Sequence, residues 1–261
     1  MYAMRKLAVI AAWCASLFAQ APAPSATELI ARALARQKAQ SERGTKYTYR
    51  EEEAKADIDK NGKAGPVETR TYEHIMLAGS DYRKLILIEG KPLDEKTQKK
   101  VDADMEKART ERRKHRLLSF HRSVSFGGLN VVERLFDSKV VGEETIAERR
   151  TWRMESSPKA GYKPANPQEK ADLASNRVTW FDQEDGDIVK ETHLFVKAVD
   201  GFQPGPVFDI QFMKVGEDWL PDIFEFRIDV KAIPGIKMRA DIHERFYDYK
   251  RFTVDSTVTT Q

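Results

Sequence analysis

One cysteine, five histidines and no long apolar run are the scarcities of this 261-residue chain. Cys14 has no second cysteine to pair with, so no intrachain disulfide can form and the fold must be held by its core. The histidines, at 74, 115, 121, 193 and 243, fall into no H-x-x-x-H or H-E-x-x-H spacing, so the common helical zinc sites are excluded. No apolar stretch reaches the roughly 20 residues of a membrane-crossing helix. An excess of one charge is lacking too. The 44 Lys and Arg against 41 Asp and Glu leave +3, and nothing marks nucleic acid as a partner. Gly127-Gly128 lacks the later Gly and Lys-Ser/Thr of a phosphate loop, and Ser123, Ser125, Ser156 and Ser157 stand in no nucleophile elbow. Asp182, Glu184, Asp185 and Asp187 form no ordered calcium series and read as a polar turn. No cofactor, metal or catalytic residue is expected, and the chain reads as a non-enzyme.

What is present begins with MYAMRK, a basic start, followed by the apolar run LAVIAAWCASLFA and the small residues of Ala19-Gln20-Ala21. These three parts describe a secretory signal peptide over 1–21, with cleavage after Ala21 or after Ala19. Trp13 directly before Cys14 is a poor context for a lipid anchor, so an unanchored exported protein is expected. Residues 22–252 are read as one domain and 253–261 as a flexible polar tail.

Ser25-Ala26-Thr27-Glu28 is a capping box. Leu29, Ile30, Ala33, Leu34 and Gln37 then share one helical face, which places a helix over 26–43. KYTYREEEAKADI, VETRTYEHIML and YRKLILIEG, separated by turn residues, read as an antiparallel meander. From Asp94 to Arg116 only helix formers and charge occur, closing on a basic stretch in which Arg112, Arg113 and Arg116 are candidates for contact with an anionic surface. Residues 117–136 are more apolar, with Phe120, Val124, Phe126 and Leu129 as lid candidates. After a hairpin over 138–158 and a loop over 159–176, RVTWFDQEDGDIVKETHLFV alternates, turns on Asp185-Gly186 and alternates again.

Period-2 patterning is cleanest near the end. Phe208, Ile210 and Phe212 share a face, as do Phe224, Phe226, Ile228 and Val230, and Ile236, Met238, Ala240 and Ile242. Each set is opposed by charged residues, so the sheet has one dry and one wet side. His74, His193 and His243 fall among the charged positions and read as surface residues. The expected fold is mainly β (α+β): about ten antiparallel strands in one curved sheet forming an open half-barrel, with helices covering the concave face.

The exported start, the leading helix, the meander YTYREEEAKAD, VVGEETIAERRTWRMESSP, the pair RVTWFDQEDGDIVKE and GEDWLPDIFEFRI together resemble the LolA/LolB/RseB-like group of bacterial lipoprotein-sorting and lipid-carrier proteins. The resemblance spans roughly residues 26–252, the blocks it rests on. It implies a half-barrel whose concave face holds acyl chains beneath a helical lid, in the periplasm. The candidate lining is Trp180, Phe195, Phe208, Ile210, Phe212, Phe224, Phe226, Ile228, Met238 and Ile242. The expected function is a monomeric, exported carrier or sensor of an acyl chain or other apolar ligand, with lipid or lipoprotein acyl chains as partners. The alternative is an envelope scaffold or signalling module with a fully packed core and a protein partner. A void beneath residues 117–136 separates the two.

Overall fold

The structure, a computed structural model, describes residues 23–43, 46–59, 61–114, 128–198, 204–233 and 236–252, with the side chains of 113–114, 206–207, 228–233 and 236–238 left out. The expectations on the signal peptide with Cys14, on Phe120, Val124, Phe126 and Arg116, and on the tail lie outside the described residues. So do the side chains of Arg113, Ile228 and Met238.

The chain opens with α1 (Ala26–Arg43) and runs through β1 (Lys46–Ile58), β2 (Ala64–Leu77), β3 (Ser80–Ile88) and the short β4 (Lys91–Pro92). Helices α2 (Glu95–Lys114) and α3 (Leu129–Leu135) precede β5 (Phe136–Ile146) and β6 (Arg149–Pro158). Then come α4 (Pro167–Asp172), β7 (Ser175–Asp182), β8 (Ile188–Phe195), β9 (Gly205–Val215), β10 (Asp218–Ile233) and β11 (Ile236–Phe252). The strands form one 11-stranded sheet in the order β4-β3-β2-β1-β11-β10-β9-β8-β7-β6-β5. Each meander is sequential, and the two join where β1 pairs antiparallel with β11, from Lys46 opposite Phe252 to Asp57 opposite Ala240. The sheet is open and every one of its pairings is antiparallel, in keeping with its alternation.

Local chemistry accounts for the helix starts. Glu28 accepts from the Ser25 amide at 2.7 Å, and the Ser25 hydroxyl accepts from the Glu28 amide at 3.2 Å, which closes the capping box. Asn166 caps α4 by accepting from the Glu169 amide at 2.9 Å, with Pro167 in the first turn, where a missing N–H costs nothing. This helix and the start of β7 occupy the stretch read from sequence as loop. The turn between β7 and β8 is built on Asp182, which accepts from the amides of Glu184 at 2.9 Å and Asp185 at 2.7 Å. Gly186 follows at φ +76°, where a Cβ would stand 3.1 Å from the Arg32 Nε.

The core lies where α1 and α3 pack on the β5–β8 end. Leu29, Ile30 and Ala33 of α1 meet Leu129, Val132 and Leu135 of α3 over Phe136, Met154, Phe181 and Ile188. Leu129, expected in a lid, is therefore a core residue, because the helix it starts carries its apolar stripe inward. The second half of α1 is tied down by polar contacts. Arg36 reaches Asp187 at 2.9 Å, Gln40 exchanges hydrogen bonds with the Trp219 backbone at 3.1 and 3.2 Å, and Arg43 bonds Asp218 at 3.1 Å. Helix α2 sits at the far end against β3. Arg112 donates there to the carbonyls of Leu77 at 3.4 Å and Ser80 at 3.2 Å and lies over the Tyr82 ring. That one of the three basic candidates is engaged in holding its own helix.

Leu135→Ala deletes a side chain with no solvent exposure. It is expected to cost about 2–5 kcal/mol, read as a lowered midpoint in urea at unchanged slope.

Candidate ligand site

Cross-strand register collects the apolar residues of the last strands into a patch. Phe226 of β10 stands opposite Phe208 of β9 and Ile242 of β11, and Phe224 stands opposite Ile210. The Phe208 and Phe224 ring centroids are 5.3 Å apart, edge to face, and those of Phe224 and Phe226 are 4.8 Å apart, stacked. Phe208, Ile210, Phe224, Phe226 and Ile242 are half-buried and lie outside the core cluster under α1 and α3. Phe212, next along β9, packs against that cluster, and Phe195 is buried. Trp180 departs from the expected set. It pairs with Lys190 and Arg153 on the other face, where both cations lie over its ring and its indole N–H donates to Glu144 at 2.8 Å. Trp180 shares this face with Val178 by simple alternation along β7, and its apolar ring serves as a platform for charge.

A cleft of about 490 Å³ crosses the junction of the two meanders. One wall is small and apolar: Ala54 and Ala56 on β1 and Val67 on β2. The other is polar: Thr192, Asp209, Glu225 and Arg227 on β8 to β10, with Asp241 and His243 of β11 between the walls. Phe208, Phe226 and Ile242 of the expected lining also border it. By strand alternation these three belong to the aromatic face, and the other nine residues belong to the opposite face. The cleft is therefore mostly built from positions that sequence reading assigned to the wet side. Beneath α3, by contrast, Val132 and Leu135 are fully buried in packed core.

Two buried charge networks flank the aromatic patch. On the β1–β3 side, Glu51 accepts from Arg83 Nε at 2.9 Å and meets His74 Nε2 at 2.7 Å, while His74 Nδ1 meets Asp81 at 3.0 Å. Tyr49 stacks on His74 at 4.2 Å, and the Arg83 guanidinium sits 3.4 Å from the Tyr72 ring centroid. Burial opposes ionisation of Glu51, but the His74 and Arg83 bonds outweigh it and hold the carboxyl below its usual range. Burial likewise opposes a charged His74, and the Asp81 and Glu51 bonds overcome it and raise its pKa. Glu244 lies beside this network. Burial and the charge of Glu51 push its carboxyl up to about 7. Glu51, Glu53 and Glu244 can each offer an oxygen within 4.8 Å of the others, the one such metal-capable grouping among the described residues. Arg83, bonded to Glu51 and to Glu53 at 2.8 Å, already supplies positive charge there.

On the β7–β8 side, Arg177 is buried, donates to Asp172 at 2.7 Å and lies over the Phe136 ring. His193 Nε2 meets Glu191 at 2.6 Å and its ring lies 4.2 Å from Phe208. Burial holds His193 below its usual pKa against the pull of Glu191, and Glu191, despite its own burial, is held low by His193 and Arg177. His74 at 6% exposure and His193 at 1% are thus interior residues, against the surface placement read from sequence. Pairing permits their burial: His74 meets Glu51 across the β1–β2 ladder, and His193 meets Glu191 two residues before it on the same face of β8. His243 is half-exposed, as expected.

Fold and cleft together define an open antiparallel sheet that holds a small cavity at its seam. No family model matches the chain, and no curated protein matches it. Among solved structures it is similar to a DUF1329 family protein from Desulfovibrio piger, at TM-score 0.38 and 11% identity over 90% of this chain and 94% of that one. It is also similar to a LolA superfamily protein from Nitrosomonas europaea, at TM-score 0.37 and 9% identity over 92% and 99%. The Mycobacterium tuberculosis lipoprotein LppX gives TM-score 0.28 and 10% identity over 88% and 100%.

Because the Glu244 pKa is raised, folding favours its neutral form, and stability falls as pH climbs from the ordinary carboxylate range to about 7. Glu244→Gln is expected to stabilise the protein by on the order of 1 kcal/mol at pH 8 and by little at pH 4.5, read from denaturation midpoints at the two pH values.

Proposed function

We propose that this protein is an exported, non-enzymatic carrier or sensor of the cell envelope that binds an amphipathic or apolar molecule of the acyl-chain class. The observation that carries the reading is the cleft of about 490 Å³. It lies in the size range of small-molecule sites, roughly 300–1,000 Å³, and sets an apolar wall against a polar one. Phe208 and Phe226, which by alternation belong to the aromatic face, reach its border. The basic start, apolar run and small residues before Pro22 support export. Among the described residues no helix is long and apolar enough to cross a membrane.

A second reading, an envelope scaffold acting through a protein partner, is favoured by the solid packing beneath α3 and by exposed Leu194 and Val196 near the end of β8.

The protein purified from its native envelope fraction and examined by native mass spectrometry with lipid extraction separates the two. The carrier reading expects a co-purifying amphiphile, retained by the native chain and lost in Ala54→Trp, which fills the cleft, with an unchanged thermal midpoint. A bare mass together with a stable protein complex in the same fraction favours the scaffold.

A further inference from the structure

We infer that the molecule held in the cleft carries a cationic polar end. The inference rests on the cleft being a ligand site, as proposed above. Three carboxylates, Asp209, Glu225 and Asp241, line it against one guanidinium, Arg227. That guanidinium is committed: it forks onto Asp241 with Nε at 2.5 Å and Nη2 at 2.8 Å. Lys190, just beyond the lining, bonds Asp209 at 2.9 Å. Glu225 is met by the His243 ring at 2.9 Å and keeps 57% of its side chain exposed.

A chain laid on Ala54, Ala56 and Val67 would extend across β11 toward Glu225, which pairs with His243 in the sheet register. An ammonium arriving there gains Glu225, the lining carboxylate met by an imidazole while Asp209 is bonded by Lys190 and Asp241 by Arg227. A carboxylate or phosphate meets like charge, with the one lining guanidinium already bound to Asp241. Glu225 is well solvated, so the preference is graded, on the order of tenfold, and weakens as salt rises.

Displacement of Nile red from the full chain tests this, with three twelve-carbon probes kept below their micelle concentrations: dodecylammonium, dodecanoate and monododecanoylglycerol. Dodecylammonium is expected to displace the dye at about tenfold lower concentration than dodecanoate and below the neutral ester. Glu225→Lys, at an exposed position and checked for fold by circular dichroism, is expected to reverse the order of the two charged probes. If dodecanoate or the ester matches dodecylammonium while the dye binds, the charge inference is overturned and the cleft stands as a ligand site. The same follows if Glu225→Lys leaves the order unchanged. If Nile red does not bind and none of the probes shifts the thermal midpoint, the ligand-site reading falls, and this inference with it.

Discussion

The ladder between β1 and β11 is the constraint on which the molecule depends. Each meander pairs strands that follow one another in sequence, but the β1–β11 pairing brings residues 46–57 against 240–252. It carries the highest loop-closure cost in the sheet. The cleft exists only because of it, since the apolar wall comes from β1 and β2 and the polar wall from β8 to β10. The Glu51–Glu53–Glu244 grouping likewise draws on both meanders, with β11 supplying Glu244. Loss of this one seam would open the sheet, divide the cleft and leave the first network facing water.

Charge placement follows from the same topology. A one-sided core under α1 and α3 covers only the β5–β8 end, so the rest of the sheet cannot rely on apolar burial alone. There the sheet stabilises its interior positions by pairing charges: Glu51 with His74 and Arg83, and Glu191 with His193 and Arg177. Such pairs contribute little net stability relative to apolar packing, yet breaking one leaves a buried charge uncompensated.

Much of the architecture was legible because it is written in period and punctuation. The capping box at Ser25, the apolar face of α1 and the alternation of β9 to β11 are local signals, and the folded chain keeps them. The strand count of about ten missed the two-residue β4, which is too short to have a period. Helix α4 was hidden by the Pro and Asn that cap it. The site was harder to see. Phe208, Phe226 and Ile242 came out of parity alone, but Ala54, Ala56 and Val67 look like ordinary strand residues until β11 brings the polar wall beside them. Buried His74 was illegible for the same reason, because its partner Glu51 lies on another strand. Trp180 was misplaced since an aromatic residue in an alternating strand signals the dry side, and only Arg153 and Lys190 beside it reveal the other. The lid residues Phe120, Val124 and Phe126 lie outside the described residues, and Leu129 belongs to the core.

Photolabelling with an alkyl diazirine, followed by peptide mapping, tests most directly whether the seam is the ligand site. The account expects label concentrated on the strand segments around residues 54–56, 225–227 and 241–243, and competed away by excess unlabelled amphiphile. Label spread evenly over the surface, or confined to α1 and α3, would contradict it.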